Sequence, residues 1–387
     1  MNQFTSPNAW PRPGNIFLLS ILCFVFCLGC RKSNIKNKDL RDFKQVNLVA
    51  NTAAYSPMVI DPTLQNGWGL AWAPSGIAWV NSQNGKLSEL YTGEGAIVRP
   101  PIRIPSPTDT IGGSPTGIVF SGGAGFTLSN KVAPNFLFVG DYGVLSGWNG
   151  AAGNNALRIG NSPSPSSYTG LALATVSGKH YLYGANFGTG RIDVWDTSFM
   201  PVSMHFHDPA LPSGYSPFNI QSVGSWLFVL YAKVGTDGDE VHGAGLGIVD
   251  IFNTDGSFVR RFASRGSLNA PWGVVATPDN FLEDQDMMKE DDHGNKSGTG
   301  KNNMGHDDRD EGSVILVGNL GDGHINVFSM EGEYLGQLQS HNRTIAIEGL
   351  WALSFAPTTS TIDQKRLYFT AGPRDEADGL FGYLIKD

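Results

Sequence analysis

Polar residues recur at equivalent positions of this sequence. Their types and spacing suggest that their side chains could bind a ligand or act on it. Each follows the second of the short apolar strands predicted within one repeat of the chain, where a hairpin turns back. The six residues are Asn81, Asp141, Asn186, Lys233, Asn319 and Arg374. If the repeats are arranged around an axis, these hairpins share one face, and their side chains could bind a polar ligand or a cation. The structural alternative is that Asn and Asp before glycine simply stabilise turns.

Two acidic segments are predicted to lie near the same face. Residues 237–242 contain three acids and a histidine, of which Glu240 and His242 could bind a metal ion or form an acid/base pair. Residues 374–378 form a similar cluster at the corresponding place in the last repeat and add Asp375. The alternative for these segments is a solvated loop.

Composition narrows the function classes. The net charge is −8 and the chain has no basic stripe, which argues against nucleic-acid binding. The cysteines are Cys23, Cys27 and Cys30, so the rest of the chain has no disulfide framework, zinc-thiolate site or thiol nucleophile. The 49 glycines and 22 prolines are typical of many short strands joined by turns.

The first 30 residues predict a signal peptide. An apolar run at residues 16–28 is too short to span a bilayer and resembles the hydrophobic region of a secretory signal. Its end, Cys27-Leu-Gly-Cys30, resembles a bacterial lipobox with Cys30 as the lipidated residue. We therefore expect a lipoprotein of the bacterial cell envelope, bound to the membrane through a lipid anchor. The alternative is an ordinary signal and a secreted protein. Residues 31–42 are predicted to be a flexible tether.

The repeats predict the fold. When the starts of the repeated strands are aligned, six small or polar residues fall at equivalent positions. Successive positions are separated by 48 to 54 residues, except for one separation of 79 that includes residues 281–311. They are Gly69, Gly117, Gly170, Asn219, Gly273 and Ala352. Six units of about 50 residues, each with three or four strands, are typical of an all-β, six-bladed β-propeller.

The ends of the domain predict how the ring closes. The sixth unit reaches the end of the sequence without an outer strand, whereas residues 43–49 form a strand that belongs to no unit. We expect this N-terminal strand to complete the last blade within a domain of residues 43–387, because closure removes exposed sheet edges. Residues 281–311 contain ten acids and few apolar residues, which predicts a disordered acidic insert in the fifth blade.

The chain resembles a family of uncharacterised exported bacterial proteins. The segments that carry this resemblance include residues 66–71 (NGWGLA), 114–120 (SPTGIVF), 369–373 (FTAGP) and 376–382 (EADGLFG), and the likeness covers roughly residues 46–384. The Pro-Trp-Gly strands more distantly resemble propellers of the NHL type. The resemblance implies a propeller and export, and it does not imply a reaction.

Two functions remain open. The first is a monomeric propeller that binds a small ligand or a protein partner at its channel face. The alternative is a metal-dependent hydrolase or lyase of the lactonase-like type, in which Glu240 and Asp375 act with Asn186 and Asn319 around a calcium ion.

Overall fold

The computed structural model describes residues 39–279, 281–282 and 313–386, and almost all of its regular structure is strand. Six sheets form the blades of a β-propeller, and one small hairpin lies outside them. Short 3-10 turns occupy Ala53–Tyr55, Gly150–Ala152 and Phe187–Thr189. The predicted all-β, six-bladed fold is confirmed.

The chain enters through β1 (Phe43–Ala50) and β2 (Val59–Ile60), which belong to the last blade. Blade 1 contains β3 (Gly67–Trp72), β4 (Ala78–Ser82), β5 (Leu87–Tyr91) and β6 (Ile102–Arg103). Blade 2 contains β7 (Pro115–Phe120), β8 (Phe136–Gly140), β9 (Val144–Trp148) and β10 (Leu157–Asn161). Blade 3 contains β11 (Tyr168–Val176), β12 (Lys179–Asn186) and β13 (Arg191–Trp195).

The second half of the chain repeats this plan. Blade 4 contains β14 (Tyr215–Val223), β15 (Trp226–Val234), β16 (Glu240–Val241), β17 (Gly247–Asn253) and β18 (Phe258–Ser264). Blade 5 contains β19 (Pro271–Ala276), β20 (Ile315–Asn319), β21 (Ile325–Phe328) and β22 (Tyr334–Gln337). After the hairpin of β23 (Gln339–Ser340) and β24 (Arg343–Thr344), blade 6 contains β25 (Leu350–Phe355), β26 (Leu367–Ala371) and β27 (Leu380–Lys386).

The N-terminal strand closes the ring, as predicted. β1 pairs antiparallel with β27, with Phe43 opposite Lys386 and Ala50 opposite Leu380. Asp378, just before β27, reinforces this seam because its carboxylate accepts hydrogen bonds from Tyr55 Oη at 2.7 Å and Asn51 Nδ2 at 2.9 Å. The last blade is therefore built from both ends of the domain.

The six recurring positions lie in the inner strands, and four of them are glycines; we call this level of the channel the waist (residues 69, 117, 170, 219, 273 and 352). A Cβ added at Gly69 would lie 2.2 Å from the Thr116 carbonyl oxygen, and one at Gly170 would lie 2.1 Å from Asn219 Oδ1. No side chain fits at these distances. The glycine lets the next inner strand approach closely, through its backbone at Gly69 and through the Asn219 side chain at Gly170. This close approach is the physical reason for the glycine periodicity of the sequence.

An aromatic plug lies beside the waist. It consists of Trp68, Phe187, Phe218, Trp272 and Trp351, which belong to one buried apolar cluster. The rings of Trp68 and Trp351 stack with centroids 3.5 Å apart, and Trp272 meets Trp351 edge-on at 5.7 Å. Because these side chains come from blades 1, 3, 4, 5 and 6, the plug ties most of the ring together.

Two predicted boundaries need correction. The acidic insert was predicted to be disordered from Phe281 onward, yet Phe281 is 1% exposed and packs against Phe43 and Phe355 with ring centroids 5.3 and 5.1 Å apart. Leu282 is also buried, so the first two residues of the predicted insert belong to the core. Residues 283–311 lie outside the described residues. Similarly, Leu40 of the predicted tether packs against the core, while residues 31–38 lie outside the described part.

The signal peptide and Cys30 fall outside the described residues as well, so their prediction stays open. Within the described ranges, we find no helix with the length and apolar character needed to cross a bilayer.

Candidate binding site at the channel mouth

One end of the channel collects acidic side chains. The start of each inner strand pairs with the end of the second strand, as in Gly67 opposite Ser82, so the connections at these ends share a face. We call this end the acidic mouth and define it by eight residues: Asp141, Asp239, Glu240, His242, Asp322, Glu348, Asp375 and Glu376.

A hydrogen-bonded chain crosses the mouth from blade 6 to blade 2. The Asn66 side chain is fully buried; its Oδ1 accepts from Trp351 Nε1 at 2.8 Å and its Nδ2 donates to Glu376 Oε2 at 3.0 Å. The same Nδ2 lies 3.3 Å from Gln83 Oε1, and Gln83 Nε2 donates to Asp141 Oδ2. The two carboxylates are thus held at fixed positions above the aromatic plug.

Blade 6 presents its acids on an unusual turn. Arg374, Asp375 and Glu376 have φ values of 58°, 50° and 66°, three consecutive non-glycine residues in the left-handed region. Such a conformation is costly for residues with a Cβ and persists only where surrounding contacts enforce it. Here the Arg374 N–H donates to Glu348 Oε1 at 2.9 Å, and the Glu376 N–H donates to the Gly372 carbonyl at 3.1 Å.

Blade 4 contributes Glu240 and His242 through the short strand β16, which pairs with the end of β15. His242 Nε2 lies 3.4 Å from Glu240 Oε1, a separation typical of a weak contact. The pKa of His242 is raised, first by this contact with Glu240 and also by the charges of Glu376 and Asp322. The imidazole is therefore biased toward its protonated form by the carboxylates around it.

Blade 5 contributes Asp322, which is anchored from two sides. Its carboxylate accepts from Asn319 Nδ2 at 3.0 Å and from Asn269 Nδ2 at 3.2 Å. His324 Nδ1 lies 3.5 Å from the same carboxylate. The amides fix this acid in the turn between β20 and β21.

A cavity of about 300 Å³ lies between blades 4, 5 and 6 of the mouth. His242, Asp322, Glu348, Asp375 and Glu376 line it together with Leu320 and small residues. Four of its ten lining residues are acids, whereas Leu320, Ala346 and three glycines contribute apolar wall. Leu320 also belongs to the apolar cluster of the plug. A ligand here therefore meets both carboxylates and apolar surface.

The carboxylates are close enough to influence one another. Burial, and next the charges of Glu240 and Asp141, raises the pKa of Glu376 to about 7. Burial also raises the pKa of Asp141 to about 6, although the hydrogen bond from Gln83 and the charge of Lys86 act against it. Near neutral pH, ionisation of these groups is opposed by burial and by the repulsion between their negative charges.

The nine predicted site residues divide into three groups: four residues of the acidic mouth, two basic residues and three buried asparagines. Asp141, Glu240, His242 and Asp375 contribute to the acidic mouth, as described above. Lys233 is partly buried; its Nζ donates to the Ser213 carbonyl at 3.3 Å and lies 5.3 Å from the ring centroid of Tyr215. Arg374 donates to Asp378 Oδ2 at 3.2 Å. Whether any of them binds a ligand stays a prediction.

The three predicted asparagines, Asn81, Asn186 and Asn319, are fully buried and use their side-chain amides in contacts within the protein. Asn81 Nδ2 donates to the Thr116 carbonyl at 2.9 Å and joins blade 1 to blade 2. Asn186 Oδ1 accepts the N–H of Thr189 at 3.3 Å and caps a 3-10 turn. Their contacts agree with the structural alternative.

The calcium-site alternative does not fit the described residues. Among them, no three His, Cys, Asp or Glu side chains are grouped closely enough to hold a metal ion. Asn186 and Asn319 were predicted to share the ion with Glu240 and Asp375. Instead, Asn186 Nδ2 donates to Asp193 Oδ2 at 2.8 Å, and Asn319 Nδ2 donates to Asp322 Oδ1 at 3.0 Å. In the part of the chain that the structure describes, the metal-dependent hydrolase or lyase therefore has no assembled set of His, Cys, Asp or Glu ligands.

Sequence reasoning missed five residues of this region: Asn66, Gln83, Asp322, Glu348 and Glu376. Asn66 and Gln83 each stand next to a recurring position, in the turns before and after the first two strands of blade 1. Glu376 stood within the acidic segment at residues 374–378, which was a usable signal. Nothing in the sequence indicates that Asn66 would connect Trp351 to Glu376.

Comparison with known proteins shows the family but not an activity. No family model matches the chain. The uncharacterized protein L690 of Acanthamoeba polyphaga mimivirus is 30% identical over 342 residues, which cover 84% of this chain and 82% of L690. This chain belongs to the same family as L690. The uncharacterized protein R648 of the same virus is 28% identical over 359 residues, covering 89% of this chain and 80% of R648. These relatives are viral and give no support to the bacterial origin implied by the resemblance.

Solved structures are similar only in fold. A streptogramin B lyase superposes with a TM-score of 0.47 and 11% identity, covering 89% of this chain and 97% of the lyase. The gluconolactonase XC5397 from Xanthomonas campestris gives 0.45 and 13%, covering 84% and 86%. At these values neither enzyme's activity transfers to this chain.

Proposed function

We propose that this protein is a binding propeller whose acidic mouth recognises a small organic cation. The observation that supports this most is the convergence of Asp141, Glu240 and Glu376 from blades 2, 4 and 6 on one end of the channel. Their mutual repulsion is relieved when a positive charge binds between them, so cation binding and deprotonation favour each other.

The shape of the site favours a small ligand over a protein surface. The cavity of about 300 Å³ is lined by side chains from three blades and has Leu320 at its apolar side. A primary amine or guanidinium group carried on a short alkyl chain matches both features, since the charge meets carboxylates and the chain meets the apolar cluster.

Titration with agmatine, followed by isothermal calorimetry, tests this function. Saturable binding is expected at about pH 8 and should weaken strongly by about pH 5, because protonation removes the negative charges of Asp141 and Glu376. Glu376→Gln should weaken binding about tenfold, as expected for loss of one charged hydrogen bond. Glu331→Gln, at an exposed carboxylate elsewhere, is the matched control.

No binding of agmatine at about pH 8, or equal binding by the wild type and Glu376→Gln, contradicts the proposal. Binding of 1-butanol with the same affinity would show that charge is not recognised and would also count against it.

We also propose export and lipidation at Cys30, on the sequence pattern alone. Expressed in a bacterial host, the wild type is expected in the membrane fraction and Cys30→Ala in the soluble or secreted fraction. Cys23→Ala, within the same apolar run, is the control and should stay with the membrane. A Cys30→Ala protein that remains in the membrane fraction would exclude the lipid anchor.

A further inference from the structure

Blade 3 has no outer strand. Within the described residues it is a sheet of three strands, whereas each of the other five blades contains at least four. Its outermost strand is β13, which pairs with β12 along its inner side. The outer side of β13 is therefore a sheet edge, and an unpaired edge is a template on which another strand can pair.

The chain covers only one end of this edge. After the turn that follows β13, the Val202 N–H donates to the Val194 carbonyl at 2.8 Å. The chain then diverges, because Met204 and Phe206 pack against the apolar cluster between blades 3 and 4. Since hydrogen bonding alternates along a strand, the backbone groups of Ile192 point outward, as the Val194 carbonyl does.

Three outward groups of β13 make no hydrogen bond to another described residue. They are the Ile192 N–H, the Ile192 carbonyl and the Val194 N–H. A cleft of about 310 Å³ lies beside them, lined by β13 itself, by residues 201–204 as they leave the edge, and by Ser162 and Tyr168. The cleft therefore lies where the other blades have their outer strand.

A second cavity, of about 500 Å³, adjoins the cleft, since Ser162, Trp195 and Pro201 line both. It lies between blades 2 and 3, and its wall includes the apolar side chains of Leu157 and Phe199. We call it the side pocket. A side chain on the Trp195 face of an added strand can enter the side pocket from the cleft.

Arg191 gives the cleft a positive charge. Its side chain is 67% exposed, and its Nε donates to Asp193 Oδ1 at 2.9 Å, while its Nη groups make no hydrogen bond to a described residue. Asp193 is occupied, because its Oδ2 accepts from Tyr168 Oη at 2.7 Å and from Asn186 Nδ2 at 2.8 Å. Of the two charged residues that line the cleft, only the arginine has free donors, so an acidic group fits beside it.

The pattern of open groups selects the direction of an added strand. In a parallel pair, a residue opposite Asp193 donates its N–H to the Ile192 carbonyl and accepts the Val194 N–H. The carbonyl two residues earlier accepts the Ile192 N–H, so all three open groups are used. An antiparallel strand could pair only with Ile192, because Val202 occupies the position opposite Val194.

We propose that the outer edge of β13 binds an extended peptide segment that pairs parallel to it. The segment has an acidic residue opposite Arg191, a β-branched residue opposite Ile192 and a long apolar residue opposite Asp193, whose side chain enters the side pocket. Backbone hydrogen bonds supply the affinity, and these side chains supply the preference. The site is independent of the proposed cation site and of the lipid anchor.

Fluorescein-labelled Thr-Glu-Val-Leu-amide is the probe that tests this proposal, measured by fluorescence anisotropy with the full chain. Saturable binding is expected. The same peptide with an N-methylated leucine cannot donate to the Ile192 carbonyl and should bind about tenfold more weakly. Replacing its glutamate with lysine should weaken binding about threefold, because exposed ion pairs contribute little.

Protein variants locate the site. Arg191→Gln should bind the glutamate and lysine peptides equally, while Arg343→Gln, at an exposed arginine of β24, should keep the wild-type preference. Ser203→Trp fills the cleft at an exposed position and should abolish binding.

Two outcomes would overturn the proposal. Absence of saturable binding to the wild type would mean that water alone occupies the edge of β13. Equal affinity for the N-methylated and unmodified peptides would exclude backbone pairing, even if Ser203→Trp fails to fold.

Discussion

The side-chain amide of Asn66 in blade 1 donates to the Glu376 carboxylate in blade 6 at 3.0 Å, where these two neighbouring blades meet. Its oxygen accepts the indole N–H of Trp351 at 2.8 Å, so one buried side chain joins the aromatic plug to the acidic mouth. One residue of blade 1 therefore supports both the contact with blade 6 and the candidate site.

Asn66→Ala is expected to lower the free energy of unfolding by about 2 kcal/mol, because the Trp351 N–H loses its acceptor in a buried position. The positive φ of 50° at this residue adds to the cost for alanine. Urea denaturation followed by tryptophan fluorescence measures the change. Asn342→Ala, at an exposed asparagine, is the control; equal midpoints for the two variants would contradict the assigned role of Asn66.

Gly69→Ala tests the waist. Its Cβ would lie 2.2 Å from the Thr116 carbonyl oxygen, so the first two blades must separate to admit it. We expect a loss of about 3 kcal/mol, at the upper end of typical overpacking costs. Gly160→Ala is the matched control because no atom lies within 4 Å of its Cβ position. Calorimetric melting distinguishes them, and a stable Gly69→Ala protein would show that the inner strands are not in backbone contact.

Glu89 should make stability depend on pH. It is 1% exposed, and burial, followed by the charge of Asp61, raises its pKa to about 7, although a hydrogen bond from Thr63 opposes the shift. Because the folded-state pKa exceeds the unfolded value, this group stabilises the fold most at acidic pH. Its contribution is lost as the pH rises through about 7.

Glu89→Gln removes that dependence. Relative to the wild type, the variant should gain about 3 kcal/mol between about pH 4 and about pH 8, because the folded-state pKa of Glu89 is raised to about 7. Urea midpoints measured across this range provide the test. Glu331→Gln should follow the wild-type curve, and parallel curves for wild type and Glu89→Gln would mean that the pKa of Glu89 is the same in the folded and unfolded states.

Phe281→Ala tests the corrected boundary of the acidic insert. Because Phe281 packs between Phe43 and Phe355, its removal leaves a cavity beneath the closing strand and should cost about 3–5 kcal/mol. Tyr142→Ala, at an aromatic residue that is 60% exposed, should change the melting temperature little. If both variants melted at similar temperatures, Phe281 would not be part of the packed core, and the original boundary of the predicted insert would stand.

Much of the fold follows from the sequence because its causes are local and repeated. All six aligned positions, from Gly69 to Ala352, fall in the inner strands of the six blades, since period-2 apolar strands on either side of a turn leave little freedom of register. The closing strand followed from counting strands in each unit. By contrast, Phe281 was assigned to the insert because its acidic neighbours dominated the composition of that window.

The site was less predictable because its geometry depends on contacts distant in sequence. Asn81, Asn186 and Asn319 precede hairpins like any exposed turn residue, and only the assembled blades bury them. Glu376 gains its position from a left-handed turn that no residue type in the segment requires. A repeat predicts where each blade bends, whereas the orientation of a side chain depends on which blade stands beside it.

The pairing of β1 with β27 has a mechanical consequence. Because Phe43 lies opposite Lys386, the outer ends of these antiparallel strands are adjacent, and tension applied between them loads one backbone hydrogen bond at a time. Force at these points would separate β1 from β27 one hydrogen bond after another and release the last blade first. A pull between two interior blades must instead shear several strands at once.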